Sequence, residues 1–294
     1  MFKGSISALI TPMQNNGEID FDGIANLVEL HKKSKTEAIV LLGTTGENPT
    51  IEHKEKLNIV KFVKKQTNGE IPLIVGTGSN STQATIDYTK EIDDIKVDAV
   101  MVVSPYYNKP SQKGIIEHYK AIAKCSSTPQ IIYNVPARTS VDMSNETISI
   151  LSKIPNIIGC KEASGDISRV KKLKEMCTTN FALLSGDDMS FIDFIEQGGH
   201  GVISVINNTF PKEIYNITKL ALNNEIEESK KMFKNIENIC KAIYIESNPM
   251  PIKWLAMHLG LIKSDKLRLP LTTIEEKNKK LISEQLKKFK KGLV

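Results

Sequence analysis

Short apolar runs alternate with longer segments of helical periodicity along most of the chain. Each apolar run has the length and the turn-rich flanks of a buried strand, and an amphipathic helical pattern follows it. The predicted strands are Ser5–Ile10, Ala38–Leu42, Pro72–Gly76, Ala99–Val103, Gln130–Asn134, Ile157–Lys161, Phe181–Ser185 and Gly201–Val205. Capping residues are predicted to begin four of the helices, and they are Thr50, Ser81, Ser111 and Asn145.

Strand-then-helix units repeated eight times over about 220 residues predict an α/β fold, the (β/α)8 TIM barrel. A doubly wound open sheet usually has fewer strands, and no GxGxxG motif follows the first strand here. From about Asn224 the pattern is helical only, with helices predicted over Glu225–Ile245, Pro249–Leu259 and Thr273–Lys290. We therefore predict a barrel over residues 1–223 and a C-terminal helical appendage over 224–294 that serves packing or assembly.

Composition and charge argue against several classes of protein. The chain has 294 residues and a net charge of +5, but its acids and bases are interspersed, so we expect no nucleic-acid partner. The cysteines are widely spaced and the histidines form no ligand motif, so we predict no metal site and no cofactor. The first residues lack the pattern of a signal peptide and no apolar run reaches membrane-spanning length. We therefore expect a cytoplasmic protein without a membrane partner.

The stretch Ile157–Asp166, IIGCKEASGD, carries the strongest candidate for chemistry, because catalytic groups of such barrels lie at the C-terminal ends of strands. Alternation along the strand would place Ile157, Gly159 and Lys161 on one face, with Gly159 leaving space beside the lysine. Desolvation lowers a lysine pKa, and a neutral amine forms Schiff bases with carbonyl compounds. The alternative is a lysine that merely extends to solvent from the end of a strand.

Polar groups also follow the second, fourth and fifth predicted strands. The loop Gly43–Glu47 offers two hydroxyls and backbone N–H groups before a helix, which suits a small carboxylate. Taken alone, the stretch is more often a tight turn that needs its glycines only for geometry. Tyr107 lies in a loop between two prolines that predicts a rigid protrusion or a packed surface loop. Tyr133 is predicted to face the barrel interior near the end of its strand, where its phenol could transfer a proton.

Arginine is rare in this chain, which makes Arg138 informative. The sequence has 39 lysines and arginines, and only Arg138, Arg169 and Arg268 are arginines. An arginine in a loop at the catalytic face indicates a planar fork for a carboxylate, whereas the other two are predicted to form structural ion pairs. Asp187 and Asp188 after the seventh strand are predicted to be acids at a helix N-terminus rather than metal ligands.

These side chains together are typical of imine chemistry on a small keto acid. The lysine would attack the ketone, the hydroxyl and phenol groups would move protons, and the resulting enamine would add to an aldehyde. The sequence also resembles the dihydrodipicolinate synthase family of pyruvate-dependent lyases, which are related to N-acetylneuraminate lyase, over essentially the whole chain. The motifs that carry the resemblance are GTTGE at 43–47, YNVPART at 133–139 and KEASGD at 161–166.

The resemblance implies a (β/α)8 lyase with a defined proton relay. Lys161 would form the Schiff base with pyruvate, and Tyr133 would be the central proton donor and acceptor. Thr44 would link Tyr133 to Tyr107 of a neighbouring subunit, which implies a homodimer or a homotetramer built from two such dimers.

The resemblance also implies how the two substrates are held. Thr45 would bind the carboxylate of pyruvate, Arg138 would bind the carboxylate of L-aspartate semialdehyde, and Gly186 and Ile203 would line the pocket. The product would be 4-hydroxy-tetrahydrodipicolinate, in the diaminopimelate route to lysine.

Two alternatives to this function are a different Schiff-base enzyme and a barrel without enzymatic activity. Another Schiff-base aldolase, acting on a keto-deoxy sugar acid or on N-acetylneuraminate, would keep Lys161 and Tyr133. The paired Thr44 and Thr45 and the cation Arg138 favour the synthase over it. A non-enzymatic barrel would predict losses among Lys161, Tyr133 and Thr44, and all three are present.

Positions that bind inhibitory lysine in this family depart from the expected pattern at two places. The matching residues here are Asn48, Pro49, His53, Lys56, Asn80, Ala84 and Tyr106. Lys56 replaces a histidine and Ala84 replaces a glutamate, so the site gains a cation and loses an acid beside the ligand ammonium. At a partly buried site such a change should weaken binding by a few kcal/mol, and we predict weak or absent inhibition by lysine.

Overall fold

A computed structural model describes residues 1–291, and residues 292–294, the end of the predicted helical region, lie outside the described residues. Within residues 1–291, eight parallel strands close into a barrel in chain order, with the first strand pairing with the last. The strands are β1 (Gly4–Ala8), β2 (Ala38–Leu41), β3 (Leu73–Gly76), β4 (Ala99–Val103), β5 (Gln130–Asn134), β6 (Ile157–Glu162), β7 (Ala182–Ser185) and β8 (Gly201–Ser204). The predicted TIM barrel is confirmed.

Helices surround the barrel and continue beyond it. Those that lie between strands or follow the last strand are α1 (Phe21–Lys33), α2 (His53–Thr67), α3 (Thr82–Asp94), α4 (Gln112–Cys125), α5 (Pro136–Thr139), α6 (Asn145–Ser152), α7 (Ser168–Met176), α8 (Phe191–Glu196) and α9 (Pro211–Leu222). The C-terminal helices are α10 (Ile226–Ala242), α11 (Met250–His258) and α12 (Glu276–Lys291). The short helix α5, directly after β5, was not predicted.

Two of the predicted helix caps are confirmed. The Ser81 hydroxyl accepts a hydrogen bond from the Ala84 N–H at 3.3 Å, and the Ser111 hydroxyl accepts one from the Gly114 N–H at 3.2 Å. Each bond satisfies one of the free N–H groups in a first helical turn.

The other two predicted caps are wrong. Thr50 ends a short 3-10 turn, and α2 begins only after Glu52, whose N–H donates to the Glu55 carboxylate at 2.9 Å in a reciprocal capping arrangement. At α6 the cap is Ser144 rather than Asn145, because the Ser144 hydroxyl accepts from the Thr147 N–H at 3.2 Å. In both places a neighbouring side chain reaches the free N–H groups better than the predicted one.

Buried apolar side chains form two layers. An inner cluster fills the barrel, with Val40, Met101, Tyr133, Leu184 and Ile203 among its members. An outer cluster lies between the strands and the helices, and it continues without a break into α10, α11 and α12. The C-terminal helices therefore pack on the barrel through the same core rather than through a separate one.

The alternation predicted along β6 fails at its first residue. The pairing of β5 with β6 shifts between Gln130 and Ile131, so Ile157 joins the outer cluster while Ile158 packs against the inner one. Gly159 does not leave space beside Lys161 either. A Cβ there would lie 2.8 Å from the Ala182 carbonyl oxygen, so glycine is required by the close approach of β7.

Candidate active site

Lys161 and Tyr133 are neighbours at the C-terminal ends of β6 and β5. They are paired in the strand register, each is 6% exposed, and the lysine Nζ lies 4.3 Å from the centre of the tyrosine ring. The end of β5 is fixed by Ser104, whose N–H and hydroxyl both donate to the Tyr133 carbonyl at 3.0 Å. The predicted nucleophile and the predicted proton carrier are thus brought together.

Gly186, the residue after β7, leaves space for the Lys161 side chain because it has no Cβ. Its N–H donates to the Glu162 carbonyl at 2.8 Å, which holds the loop against β6. A Cβ at this position would lie 3.0 Å from Lys161 Cε and 2.6 Å from Ala163 Cβ. The space that the sequence pattern assigned to Gly159 is therefore supplied by Gly186, directly after the neighbouring strand β7.

Glu162, which sequence reasoning did not single out, anchors the strand end behind Lys161. Its buried carboxylate accepts hydrogen bonds from Asn134 Nδ2 at 3.0 Å and from the Ser164 N–H at 2.7 Å. It also lies 3.7 Å from the Arg169 guanidinium, which in turn pairs with Asp142 at 2.7 Å. The sequence signal that could have revealed this network is an acidic residue in a buried strand, directly after the lysine at the strand end. The predicted structural ion pairing of Arg169 is confirmed.

Arg268 is likewise structural. Its guanidinium makes two hydrogen bonds of 2.6 Å to the Glu55 carboxylate and donates to the carbonyls of Gly17 and Thr50. These four contacts engage both terminal nitrogens of the guanidinium, so Arg268 serves the fold and not a ligand.

The loop Gly43–Glu47 presents Thr45 and not a helix N-terminus. The N–H groups of Gly46 and Glu47 bond to carbonyls of the same turn at 3.1 Å, so they do not face a ligand, and a 3-10 turn follows instead of α2. Thr45 is 3% exposed, and its hydroxyl accepts from Asn248 Nδ2 at 2.9 Å. Thr44 is half-buried.

Asn248 is a further residue of this region that the sequence pattern missed. It lies in the C-terminal part of the chain, two residues before α11 begins, where packing or assembly was the predicted role. Its side chain contacts Thr45, and its carbonyl accepts from Arg138 Nη2 at 3.3 Å. One residue of the C-terminal region thus touches two of the predicted substrate-binding side chains, and Arg138 is otherwise exposed.

Tyr107 is not brought to the others within one chain. It is 89% exposed and has a left-handed backbone with φ of 73°. The loop around it is held by Asn108, whose side chain donates to the Asn80 carbonyl at 2.8 Å. The predicted protrusion is therefore confirmed, while its predicted contact with the relay is absent from the single chain over residues 1–291.

Three residues that the sequence singled out, Ile203, Asp187 and Asp188, lie on or after the last two strands. Ile203 on β8 is fully buried in the inner cluster with Tyr133. Asp187 accepts from the Ser190 N–H at 2.9 Å just before α8, as predicted. The same prediction for Asp188 is wrong, because the loop after β8 and Tyr244 surround it with other donors.

Asp188 is instead a buried anchor for the end of β8. Its carboxylate accepts from the N–H groups of Val205 and Ile206 at 3.0 and 2.9 Å and from the Tyr244 hydroxyl at 2.9 Å. Burial raises the pKa of the Asp188 carboxyl. No group of three or more metal-ligating side chains lies together in residues 1–291, and no helix described there could span a lipid bilayer.

Known proteins are similar over almost the whole chain. A sequence model of the Dihydrodipicolinate synthetase family matches residues 1–289. A 4-hydroxy-tetrahydrodipicolinate synthase of Buchnera aphidicola is 48% identical over 274 residues, which are 93% of each chain. A chloride-inhibited dihydrodipicolinate synthase of Acinetobacter baumannii, solved with pyruvate, has a TM-score of 0.96 at 40% identity over 99% of each chain. A synthase of Cyanidioschyzon merolae, solved with lysine bound, has a TM-score of 0.95 at 32% identity, covering 100% of this chain and 99% of that one.

Proposed function

Because the chain belongs to the dihydrodipicolinate synthetase family, we propose that its barrel mouth performs the reaction of the synthases that it resembles. The reaction is the condensation of pyruvate with L-aspartate 4-semialdehyde to 4-hydroxy-tetrahydrodipicolinate, in the diaminopimelate route to lysine. The chain is a lyase of the Schiff-base, class I aldolase type. The observation that carries the chemistry is the buried amine of Lys161 at 4.3 Å from the Tyr133 ring.

Lys161 starts the reaction as a nucleophile. Its amine attacks the keto carbon of pyruvate, the hydroxyl of the adduct leaves as water after protonation, and an imine remains. Loss of a proton from the methyl carbon gives an enamine, which adds to the aldehyde carbon of the second substrate. The amino group of that substrate then attacks the imine carbon, which closes the ring and releases the lysine amine. We assign proton transfer in these steps to Tyr133, and the support is that its ring adjoins the amine.

Asn248 contacts both side chains to which we assign the two substrate carboxylates. The Thr45 hydroxyl binds the pyruvate carboxylate, and the Arg138 guanidinium binds the carboxylate of the semialdehyde as a planar fork. Support for this arrangement is the position of Asn248, which bonds to Thr45 with its side chain and to Arg138 with its carbonyl. Gly186 and Ile203 line the pocket, the first by leaving room for Lys161 and the second from the inner cluster.

A second copy of the chain completes the relay. Tyr107 is exposed on a braced loop, and a phenol so exposed gains apolar contact when another surface covers it. In a homodimer, or in a homotetramer of two dimers, Tyr107 of one copy would reach Thr44 and Tyr133 of the other. The synthase then has no complete relay in a single chain.

Lysine is proposed to be a weak inhibitor or none. Lys56 donates from Nζ to Asn48 Oδ1 at 2.7 Å and lies 5.6 Å from the centre of the Tyr88 ring, so its cation occupies the region between α2 and α3. A ligand ammonium brought to the same region would meet like charge, and Ala84 provides no carboxylate to offset it.

A cytoplasmic location is also proposed. Its support is the four free thiols of the described residues, two of which are buried, because extracellular compartments favour disulfides. Cell fractionation of the native host followed by immunoblotting would test it, and recovery from a secreted fraction would contradict it.

Activity with defined aldehydes tests the function directly. We expect fast pyruvate-dependent turnover with aspartate semialdehyde, followed as NADPH loss through the reductase that consumes the product. Glyceraldehyde and N-acetylmannosamine run beside it in a pyruvate-consumption assay. Turnover with a sugar aldehyde alone would keep the Lys161 chemistry but assign the chain to another Schiff-base aldolase.

A further inference from the structure

Three contacts join the C-terminal helices to the loops at the barrel mouth. Asn248 donates to the Thr45 hydroxyl, Arg138 donates to the Asn248 carbonyl, and Lys253 on α11 forms an ion pair with Glu47 at 2.6 Å. All three are separated by more than 100 positions in the sequence. The predicted packing region is thus also in contact with the catalytic loops.

The ion pair between Glu47 and Lys253 is wholly buried. Both side chains have an exposure of 0%, and the second oxygen of Glu47 accepts from the Arg268 N–H at 3.3 Å. Burial lowers the pKa of the Lys253 ammonium, against the opposing pull of the Glu47 carboxylate. A buried ion pair loses hydration on both partners, and apolar replacements are often as stable, so overall stability alone does not explain one here.

The pair connects the turn that carries Thr45 with the helix that begins beside Asn248. Glu47 closes the turn, with a left-handed backbone of φ 57° and its N–H bonded to the Thr44 carbonyl at 3.1 Å. Lys253 lies in the first turn of α11, where its N–H bonds to the Pro249 carbonyl at 3.0 Å. Fixing Lys253 against Glu47 therefore fixes the start of α11, and Asn248 just before it, against the turn that carries Thr45.

We propose that the ion pair of Glu47 and Lys253 positions the pyruvate site, by docking α11 so that Asn248 holds the Thr45 hydroxyl in its binding orientation. Glu47, Lys253 and Asn248 are positioning residues that act through Thr45. The proposal rests on the proposed function for the identity of the keto acid. It assigns the C-terminal helices a part in substrate affinity that a packing appendage would not have.

The test measures imine formation against pyruvate concentration. The protein is titrated with pyruvate, reduced with borohydride, and the fraction of chains carrying the adduct is read by intact mass. A positioning role raises the half-saturating pyruvate concentration, whereas a purely structural role lowers the amount of folded protein and leaves that concentration unchanged. The variant is the double substitution Glu47→Gln with Lys253→Met, which removes both charges and leaves no buried ion unpaired.

We expect the double variant to need about tenfold more pyruvate, the factor expected when a hydrogen bond to a charged ligand is lost, with full labelling at saturation. Lys230→Met is the matched control, because Lys230 on α10 also pairs with barrel acids, Asp193 and Glu196, at 3.0 and 3.1 Å. It should leave the half-saturating concentration unchanged.

The outcomes separate this proposal from the function on which it rests. If the unaltered chain forms no adduct at any pyruvate concentration, the proposed function fails. If it forms the adduct and the folded double variant has the same half-saturating concentration, the positioning role is overturned. Should the double variant not fold, Asn248→Ala decides, because an unchanged half-saturating concentration there would equally overturn the role.

Discussion

The side chain of Lys161 has room to react because residue 186 has no Cβ. An added methyl group would lie 3.0 Å from the lysine Cε, and the backbone at residue 186 cannot withdraw because its N–H is bonded to β6. The neighbours of Lys161 also restrict it, since Tyr133 lies on one side and Glu162 anchors the strand behind it. The position of the lysine amine is therefore set by the space that its neighbours leave, above all by the missing Cβ at residue 186.

Gly186→Ala should slow imine formation without unfolding the chain. The added Cβ displaces the Lys161 side chain, and a misplacement of the reacting atom by about an ångström costs on the order of 100-fold in rate. Rapid mixing with pyruvate followed by borohydride trapping measures the rate. Gly114→Ala on α4, where a Cβ would meet Pro110 at 3.3 Å, is the control and should react normally. An unchanged rate for Gly186→Ala would show that the lysine has another path to the substrate.

Tyr133→Phe should lower turnover by about 100- to 10,000-fold, the usual effect of losing a general acid–base group. The measurement is turnover with both substrates at saturation. Tyr215→Phe is the control, because Tyr215 lies on the outer helix α9, where Lys219 Nζ is 5.9 Å from the centre of its ring. Tyr215→Phe should keep its turnover. Full activity of Tyr133→Phe would mean that another group carries the proton.

At the scale of elements, single loops and helices each contribute one functional group. The ends of β5 and β6 carry Tyr133 and Lys161, α5 carries Arg138, and the loop after β4 carries the exposed Tyr107. Helices α2 and α3 contribute differently, because they carry Lys56 and Ala84, the two residues to which we attribute the proposed weak inhibition by lysine. The proposal therefore assigns regulation to two helices and the reaction to the strand ends.

Lys56→His combined with Ala84→Glu should introduce inhibition by lysine. The unaltered chain is expected to retain most of its activity at millimolar lysine, because its cation at position 56 repels the ligand ammonium. The double variant restores an acid and removes that cation, and its half-inhibiting lysine concentration should fall by at least about tenfold. Initial-rate assays across a lysine series measure both proteins. Half-inhibition of the unaltered chain by submillimolar lysine would contradict the prediction.

At the scale of the whole molecule, the proposed relay needs a second copy of the chain, so assembly would be part of catalysis. Tyr107 lies in solvent, while Thr44 is half-buried in the loop Gly43–Glu47 and Tyr133 is buried in the barrel. A dimer that places Tyr107 of one copy over the barrel mouth of the other would join them. The division into a barrel over residues 1–223 and a helical region over 224–294 stays a prediction, and the shared outer cluster couples the two.

Two inactive variants should restore activity when their subunits are mixed. Tyr107→Phe and Lys161→Ala each damage a site, but a mixed dimer contains one site with an intact Lys161 and an intact Tyr107. Activity after dissociation and reassociation should exceed the sum of the parents by at least about tenfold if each parent retains under a hundredth of full activity. Mixing Tyr133→Phe with Lys161→Ala is the control, since those two residues adjoin within one chain.

Failure of the first mixture, with mixed dimers shown by native mass spectrometry, would place Tyr107 outside the relay. Sedimentation of the unaltered chain supplies the independent measurement. We expect a dimer or a tetramer, and an active monomer would contradict a relay shared between subunits.

The sequence by itself determined the order of strands and helices and the location of the candidate reacting groups. Strand and helix periods are local, so apolar runs located all eight strands of residues 1–291 to within about two residues. The barrel rule then placed Lys161, Tyr133 and Arg138 at one end, because the ends of parallel strands meet there. Local patterns also indicated the exposed Tyr107 loop and the structural roles of Arg169 and Arg268.

Only the tertiary structure decided which distant side chains meet. Asn248 reaches Thr45 across 203 positions, and Lys253 reaches Glu47 across 206, and no periodic pattern encodes such separations. The packing of α11 on the barrel mouth fixes both contacts. Residue 159 is glycine because β7 approaches it closely, and the space beside Lys161 comes from Gly186 instead, because the distance between neighbouring strands is a property of the closed barrel.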